Sequence, residues 1–143
     1  MCFSKLFHKQ EPISPESLEP QSTVQIELAE LRDLLTSTAP GASIIMADNW
    51  KLLCDYEDVA LFLAQDQTNK TDYESEEYDC DDFSFRLKGQ FSIPGWAALA
   101  LGICWTNDHA LNCFMDEDKK LWFIEPQTDT IIDTLENIRL IIM

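Results

Sequence analysis

The chain has 143 residues, 45% of them hydrophobic, and carries 26 acidic residues against 10 basic ones, a formal net charge of −16. That length fits a single domain, and so negative a field disfavours nucleic acid and anionic membranes as partners. No apolar run is long enough to span a bilayer, and five cysteines without a CxxC pair argue against a disulfide framework and for a reducing, cytoplasmic compartment.

The first part of the chain divides into a tail and a helix. Residues 1–21 contain three prolines and no periodicity, which predicts a flexible tail ahead of one domain over residues 22–143. Ser22 and Gln25 form a capping-box pattern at the start of a predicted amphipathic helix that ends near Pro40. The apolar positions that give this helix its period are Val24, Leu28, Leu31 and Leu35.

Two more helices are predicted further along, after a short strand at residues 43–46. Asp55 can cap a well-buried helix that runs to Ala64. Asp79 can cap a third helix that runs to about Lys88 and carries acidic residues in its first turn and basic residues in its last.

The C-terminal half has the character of β-structure. An apolar run predicts a central strand, and two segments that bracket a polar turn predict a hairpin. The predicted strands cover residues 96–105, 109–115, 121–126, 129–133 and 137–143. The expected fold class is α+β, with the helix that bears Cys80 packed on an antiparallel sheet.

The segment between the second and third helices is strongly acidic. Residues 66–82 contain eight acidic residues and one basic residue, Lys70. Such a run is either a solvated loop or a site for a cation.

The predicted hairpin brings a histidine to a carboxylate. Side chains alternate between the faces of a strand, so His109 shares a face with Glu125 and Gln127, and opposed residues have Cβ atoms roughly 4.5–5.5 Å apart. A carboxylate there can accept the imidazole N–H and orient the ring. The simpler alternative is a structural histidine at a sheet edge.

Cys80 lies at the predicted start of the third helix, where the helix dipole stabilises a thiolate. The neighbouring carboxylates of Asp79, Asp81 and Asp82 oppose that anion. A divalent cation held by carboxylates, with the Gln127 amide as a further oxygen donor, would offset them, and oxygen ligands suit calcium or manganese. The alternative is that these acids simply cap a helix. The other four cysteines are expected to be core residues.

Three motifs together resemble a known family. The segments Tyr78–Phe83, His109–Asn112 and Ile124–Gln127 are similar to the papain-like, calcium/manganese-dependent cysteine protease domain at the C-terminus of the fairy-ring mushroom agglutinin, and to related small phage and bacterial proteins. The resemblance covers roughly residues 45–135 and implies a papain-like/transglutaminase-like core.

The resemblance also implies functional residues. By motif, Cys80 would be the nucleophile, His109 the base and Glu125 the third member of a triad. The matching metal positions are Asp81, Asp82 and Gln127, which would hold calcium or manganese. The interval between the cysteine and the histidine is shorter here than in that family.

Three functions follow as expectations. The first is hydrolysis of a peptide or protein substrate by a Cys-His-Glu triad beside a divalent cation. The second is a non-catalytic, metal-binding interaction or structural protein, such as a phage component located in a virion or in host cytoplasm. The third is acyl transfer to an amine.

Overall fold

A computed structural model describes residues 18–143. That range contains eight strands, three α-helices and one short 3-10 helix at Thr68–Lys70. The strands are β1 (Thr23–Glu27), β2 (Ser43–Ile45), β3 (Trp50–Cys54), β4 (Leu101–Trp105), β5 (Ala110–Met115), β6 (Leu121–Glu125), β7 (Thr130–Ile132) and β8 (Leu140–Ile142). The helices are α1 (Leu28–Thr38), α2 (Tyr56–Leu63) and α3 (Cys80–Gln90).

The strands form two sheets. The larger has the order β2-β8-β4-β5-β6-β7 and is antiparallel except where β2 runs parallel to β8, while β1 and β3 form an antiparallel pair of their own. The predicted hairpin is confirmed as β5–β6, with Cys113 opposite Phe123.

Alternation along β5 and β6 creates two hydrophobic cores. Cys113 and Phe123 pack with α1 on one face of the large sheet. Phe114 and Ile124 pack with α2 and α3 on the other face. The period-two pattern of these strands therefore decides which helix each residue meets.

The predicted caps of two helices are confirmed. Asp55 is the N-cap of α2, and its carboxylate accepts a hydrogen bond from the Glu57 N–H at 3.2 Å. Asp79 is the N-cap of α3, and the Asp82 carboxylate accepts from the Asp79 N–H at 3.2 Å, which closes a capping box. Both caps satisfy amide groups that have no partner inside the helix.

The first predicted helix is only half right. Residues 23–27 form β1, and the helix begins at Leu28. Val24 and Ile26 lie opposite Leu53 and Lys51 of β3, so pairing with a strand distant in sequence overrides the local capping pattern. The long apolar run after Pro94 is likewise shorter as a strand than expected, because residues 94–98 form turns before β4 begins.

The expected α+β fold with a papain-like/transglutaminase-like core is wrong. Two sheets with eight strands dominate the described chain, and three helices cover them. The physical reason is the ribbon of β1 and β3, which replaces part of the predicted helical layer by sheet.

The predicted tail lies mostly outside the described residues. Its last residues, 18–21, contact the domain: the Trp96 indole N–H donates to the Leu18 carbonyl at 2.8 Å, and the Gln21 N–H donates to the Asp58 carboxylate at 2.9 Å. Between residues 18 and 143, no helix has the length and apolar character needed to cross a membrane.

Candidate functional site

The structure joins His109 to Glu125. The ring Nε2 lies 2.6 Å from Glu125 Oε2, and the two side chains are 36% and 26% exposed. A turn fixes the histidine backbone, because the Thr106 hydroxyl accepts from the His109 N–H at 3.1 Å and the Thr106 N–H donates to the His109 carbonyl at 2.8 Å. The parity of the hairpin therefore predicted this contact correctly.

Cys80 is the first residue of α3. The helix is seated on the sheet by Asn112 of β5, whose buried amide donates to the carbonyls of Ser84 at 3.0 Å and Gly102 at 3.2 Å. The Ser84 hydroxyl in turn donates to the Cys80 carbonyl at 2.8 Å. The Cys80 carbonyl is thus bonded by a side chain of its own helix, and that helix is in turn fixed to β5 through Asn112.

The thiol and the imidazole are not joined. Within residues 18–143, no hydrogen bond connects the Cys80 sulfur to His109, whose ring instead borders a cleft beside residues 135–137. Leu135 packs with the core on the α1 side of the sheet, whereas Leu87 of the Cys80 helix belongs to the core on the other side. The two predicted site residues that a hydrogen bond joins are therefore His109 and Glu125.

The acidic residues at the start of α3 converge. Ligand atoms of Asp79, Cys80 and Asp81 lie within 4.8 Å of one another. The protonated Asp81 carboxyl can donate a hydrogen bond to the Asp79 carboxylate, and this bond, followed by burial and the nearby negative charges, raises the pKa of Asp81. Asp82 is occupied by the helix cap. Gln127 lies in the turn between β6 and β7, where its N–H donates to Glu125 Oε1 at 3.3 Å.

A second site, which the sequence analysis missed, surrounds Trp50. A cleft of about 450 Å³ is lined by Asp48, Asn49, Trp50, Ala97 and Ala98. The two alanines face Trp50 because the Leu52 N–H donates to the Ala98 carbonyl at 2.8 Å, which adds residues 97–100 to the edge of β3.

The backbone conformation and an ion pair fix Asp48 in this cleft, and the Trp50 side chain is partly exposed to solvent. Asp48 has a positive φ of 68°, an uncommon conformation for a residue other than glycine and one that is found at functional loops. Its carboxylate accepts from the buried Lys51 ammonium at 3.0 Å. The indole of Trp50 is 42% exposed. The run Asp-Asn-Trp was the available sequence signal, but its alanine wall comes from a segment 47 residues later.

Comparisons with known proteins identify the fold. No family model and no curated protein matches the sequence. The structure of PSL1a in complex with E64 matches with a TM-score of 0.72 and 20% identity, covering 83% of this chain and 51% of that chain. The Polyporus squamosus lectin bound to the human-type influenza-binding epitope Neu5Aca2-6Galb1-4GlcNAc matches with a TM-score of 0.68 and 19% identity, covering 83% and 49%. The chain therefore spans about half the length of these proteins, and at such identity it is the fold that is shared.

These neighbours correct three expectations. The predicted membership of the papain-like cysteine protease family is wrong, since the structures that share the fold are those of a lectin. The predicted cysteine hydrolase is corrected for the same reason. The predicted peptide or protein substrate is corrected too, because the matched lectin structure holds a glycan epitope.

Proposed function

We propose that this chain is a glycan-binding domain whose site is the cleft at Trp50. The observation that carries the proposal is the half-exposed indole at the edge of a cleft of about 450 Å³ that has polar residues on one side and alanines on the other. The shared fold with a lectin supports it.

The cleft has the chemistry that a sugar requires. A pyranose ring offers an apolar C–H face, which can pack on the indole of Trp50 and release water from both surfaces. Its hydroxyls need polar partners, and the Asp48 carboxylate and Asn49 amide supply both acceptors and donors. Among the described residues, the Asn49 side chain makes no hydrogen bond within the protein, so its amide is available to a ligand. Ala97 and Ala98 leave room for the ring.

Charge narrows the class of glycan. The matched lectin structure holds a sialylated epitope, whereas this chain has a net charge of −16 and a carboxylate in the cleft itself. Repulsion of like charges disfavours an anionic sugar at such a site. We therefore propose that the ligand is a neutral oligosaccharide.

A glycan array that carries neutral and sialylated oligosaccharides, followed by calorimetric titration of the hits, tests this function. We expect binding to neutral glycans, and we expect Trp50→Ala to weaken it about tenfold or more through loss of the aromatic platform. Phe85→Ala removes an aromatic side chain that is 55% exposed on α3 and serves as the matched control, with unchanged affinity. An array without hits, or a Trp50→Ala protein that binds like the wild type, would contradict the proposal.

We also propose that a divalent cation, calcium or manganese, binds at the start of α3. The observation in favour is the convergence of ligand atoms from Asp79, Cys80 and Asp81 within 4.8 Å. Two carboxylates suit a hard ion, and a sulfur ligand shifts the preference towards manganese. Of the predicted metal residues, Asp81 belongs to this group, and Asp82 contributes by capping the helix that carries it.

Thermal melts with chelator, calcium or manganese test this cation site. An ion at 100 times its dissociation constant adds about 2.7 kcal/mol of stability, which is a rise of several degrees in Tm for a domain of this size. Asp81→Asn should remove most of that rise, while the exposed control Asp133→Asn should leave it. An Asp81→Asn protein with the full rise would exclude the ion from the start of α3.

A further inference from the structure

Two segments far apart in sequence meet behind α2. The 3-10 helix at Thr68–Lys70 lies against the turn between β6 and β7, and the Asn69 amide donates to Asp129 Oδ2 at 2.6 Å across 60 residues of chain. Asp66 stabilises the start of the same 3-10 helix, because its carboxylate accepts a hydrogen bond from the Thr68 N–H at 2.7 Å.

This junction buries oxygen atoms that have no partner. Thr68 Oγ1, Asn69 Oδ1 and Asp129 Oδ1 are all inaccessible to solvent and make no hydrogen bond in the described chain. Thr68 is 1% exposed and Asp66 is 3% exposed. Buried polar atoms are normally hydrogen-bonded or bound to a ligand, so three such oxygens in one junction point to a bound group.

The chemistry of these atoms selects the ligand. All are oxygens, from a hydroxyl, a side-chain amide and a carboxylate, and a second buried carboxylate lies beside them. Between residues 18 and 143, no ion pair shorter than 4.0 Å joins Lys70 to either carboxylate. A buried acid, Asp66, and a partly buried acid, Asp129, beside oxygen atoms that make no hydrogen bond in the described chain suit a hard cation.

We propose that a divalent cation of the calcium class binds between the 66–69 segment and the β6–β7 turn. The oxygen ligands come from Asp66, Thr68, Asn69 and Asp129. The ion satisfies the buried acceptors and offsets the repulsion between the two carboxylates. Calcium binds about six to eight oxygen ligands, and water molecules supply those that the protein does not.

The ion ties the acidic segment to the hairpin. Asp129 lies four residues after Glu125 and two after Gln127, so a cation at the β6–β7 turn restrains the strand end that carries the His109–Glu125 pair. This site is separate from the start of α3, where the ligand atoms belong to residues 79–81.

Paramagnetic broadening locates the ion directly. In a two-dimensional amide NMR spectrum of the chelator-treated wild-type protein, substoichiometric Mn²⁺ should broaden the amides of residues 66–70 and 128–130. Excess Ca²⁺ should restore them, because the two ions compete for oxygen ligands. Broadening confined to residues 79–82, or no broadening at all, would overturn the proposal and leave the buried oxygens to water.

Variants then assign the ligands. Asp129→Asn keeps the shape of the side chain but removes its charge, and should weaken calcium binding about tenfold or more. Asp133→Asn removes a nearby exposed carboxylate and Asp81→Asn removes one at the start of α3, and neither should change the broadening at residues 66–70. Unchanged calcium affinity in Asp129→Asn would likewise overturn the proposal.

Discussion

Gly102 is where the sheet tolerates no side chain. It lies in β4, between β5 and β8, and a Cβ added to it would come 1.9 Å from the Ile142 carbonyl oxygen and 2.8 Å from the Met143 side chain. The nearer of these atoms belongs to the backbone, so it cannot move aside without disturbing the ladder. Close approach of strands, and not an unusual φ, explains this glycine.

We expect Gly102→Ala to lower the free energy of unfolding by about 3 kcal/mol, at the upper end of what overpacking costs. Chemical denaturation measures the change. Gly89→Ala is the matched control, since nothing lies within 4 Å of its added Cβ and it sits inside α3. Alanine there should raise stability by about 0.5–1 kcal/mol. Equal losses in the two variants would contradict the close approach of β4 and β8.

Lys88 is a charged residue placed where charge is unfavourable. Burial, followed by the nearby positive charge of Lys51, lowers the pKa of Lys88. A lowered pKa means that the charged ammonium is less favourable in the folded state than in the unfolded chain. The cost of the charged form is present at neutral pH and is relieved as the pH rises through the folded-state pKa.

We therefore expect Lys88→Met to be more stable than the wild type at pH 7, and we expect its advantage to shrink as the pH approaches the ordinary lysine value. Urea denaturation at several pH values measures both trends. Lys119→Met, at an exposed side chain that pairs with Glu30, should show no such gain. A gain that stays constant across this pH range would point to better packing instead of a charge effect.

Among the secondary-structure elements, the helices that begin at a capping residue are those whose start the local sequence predicts correctly. The sequence pattern predicts Asp55 and Asp79 as caps, and in the structure a helix begins at the residue after each of them. The predicted start of the first helix is wrong because residues 23–27 pair with β3, a strand that the sequence pattern does not predict. A strand made by pairing has no complete signal in its own sequence.

The cap of α2 gives a test at this scale. We expect Asp55→Ala to cost about 1 kcal/mol, because the Glu57 N–H loses its acceptor. Asp55→Asn keeps a side-chain oxygen and should cost less than half as much. Thermal melts of both variants measure the difference, and equal losses would show that the charge of Asp55, and not its hydrogen bond, stabilises the helix.

For the whole molecule, the balance of 26 acidic and 10 basic residues sets the response to salt. Self-repulsion weakens the compact state, and salt screens it. We expect Tm to rise when sodium chloride increases from about 20 mM to about 200 mM, a range over which the Debye length falls to below 10 Å. Potassium chloride should have the same effect, because the cause is ionic strength. A Tm that does not change with either salt would show that the acidic residues are spread too far apart to repel one another.

Features that depend on neighbours along the chain follow from the sequence alone. The caps of α2 and α3 rest on residues within one helical turn, and the contact of His109 with Glu125 rests on two strands joined by one tight turn. Period-two alternation and a short connection leave little freedom in such a pair.

Features that join distant segments depend instead on how the folded chain packs. The wall of the Trp50 cleft comes from residues 97–98, and the junction at Asp129 needs the 66–69 segment. The same holds for the position of the Cys80 thiol relative to the imidazole, since helix and hairpin belong to different layers. These contacts arise when sheets and helices bury their apolar faces, and that packing is set by the whole core and not by any one motif.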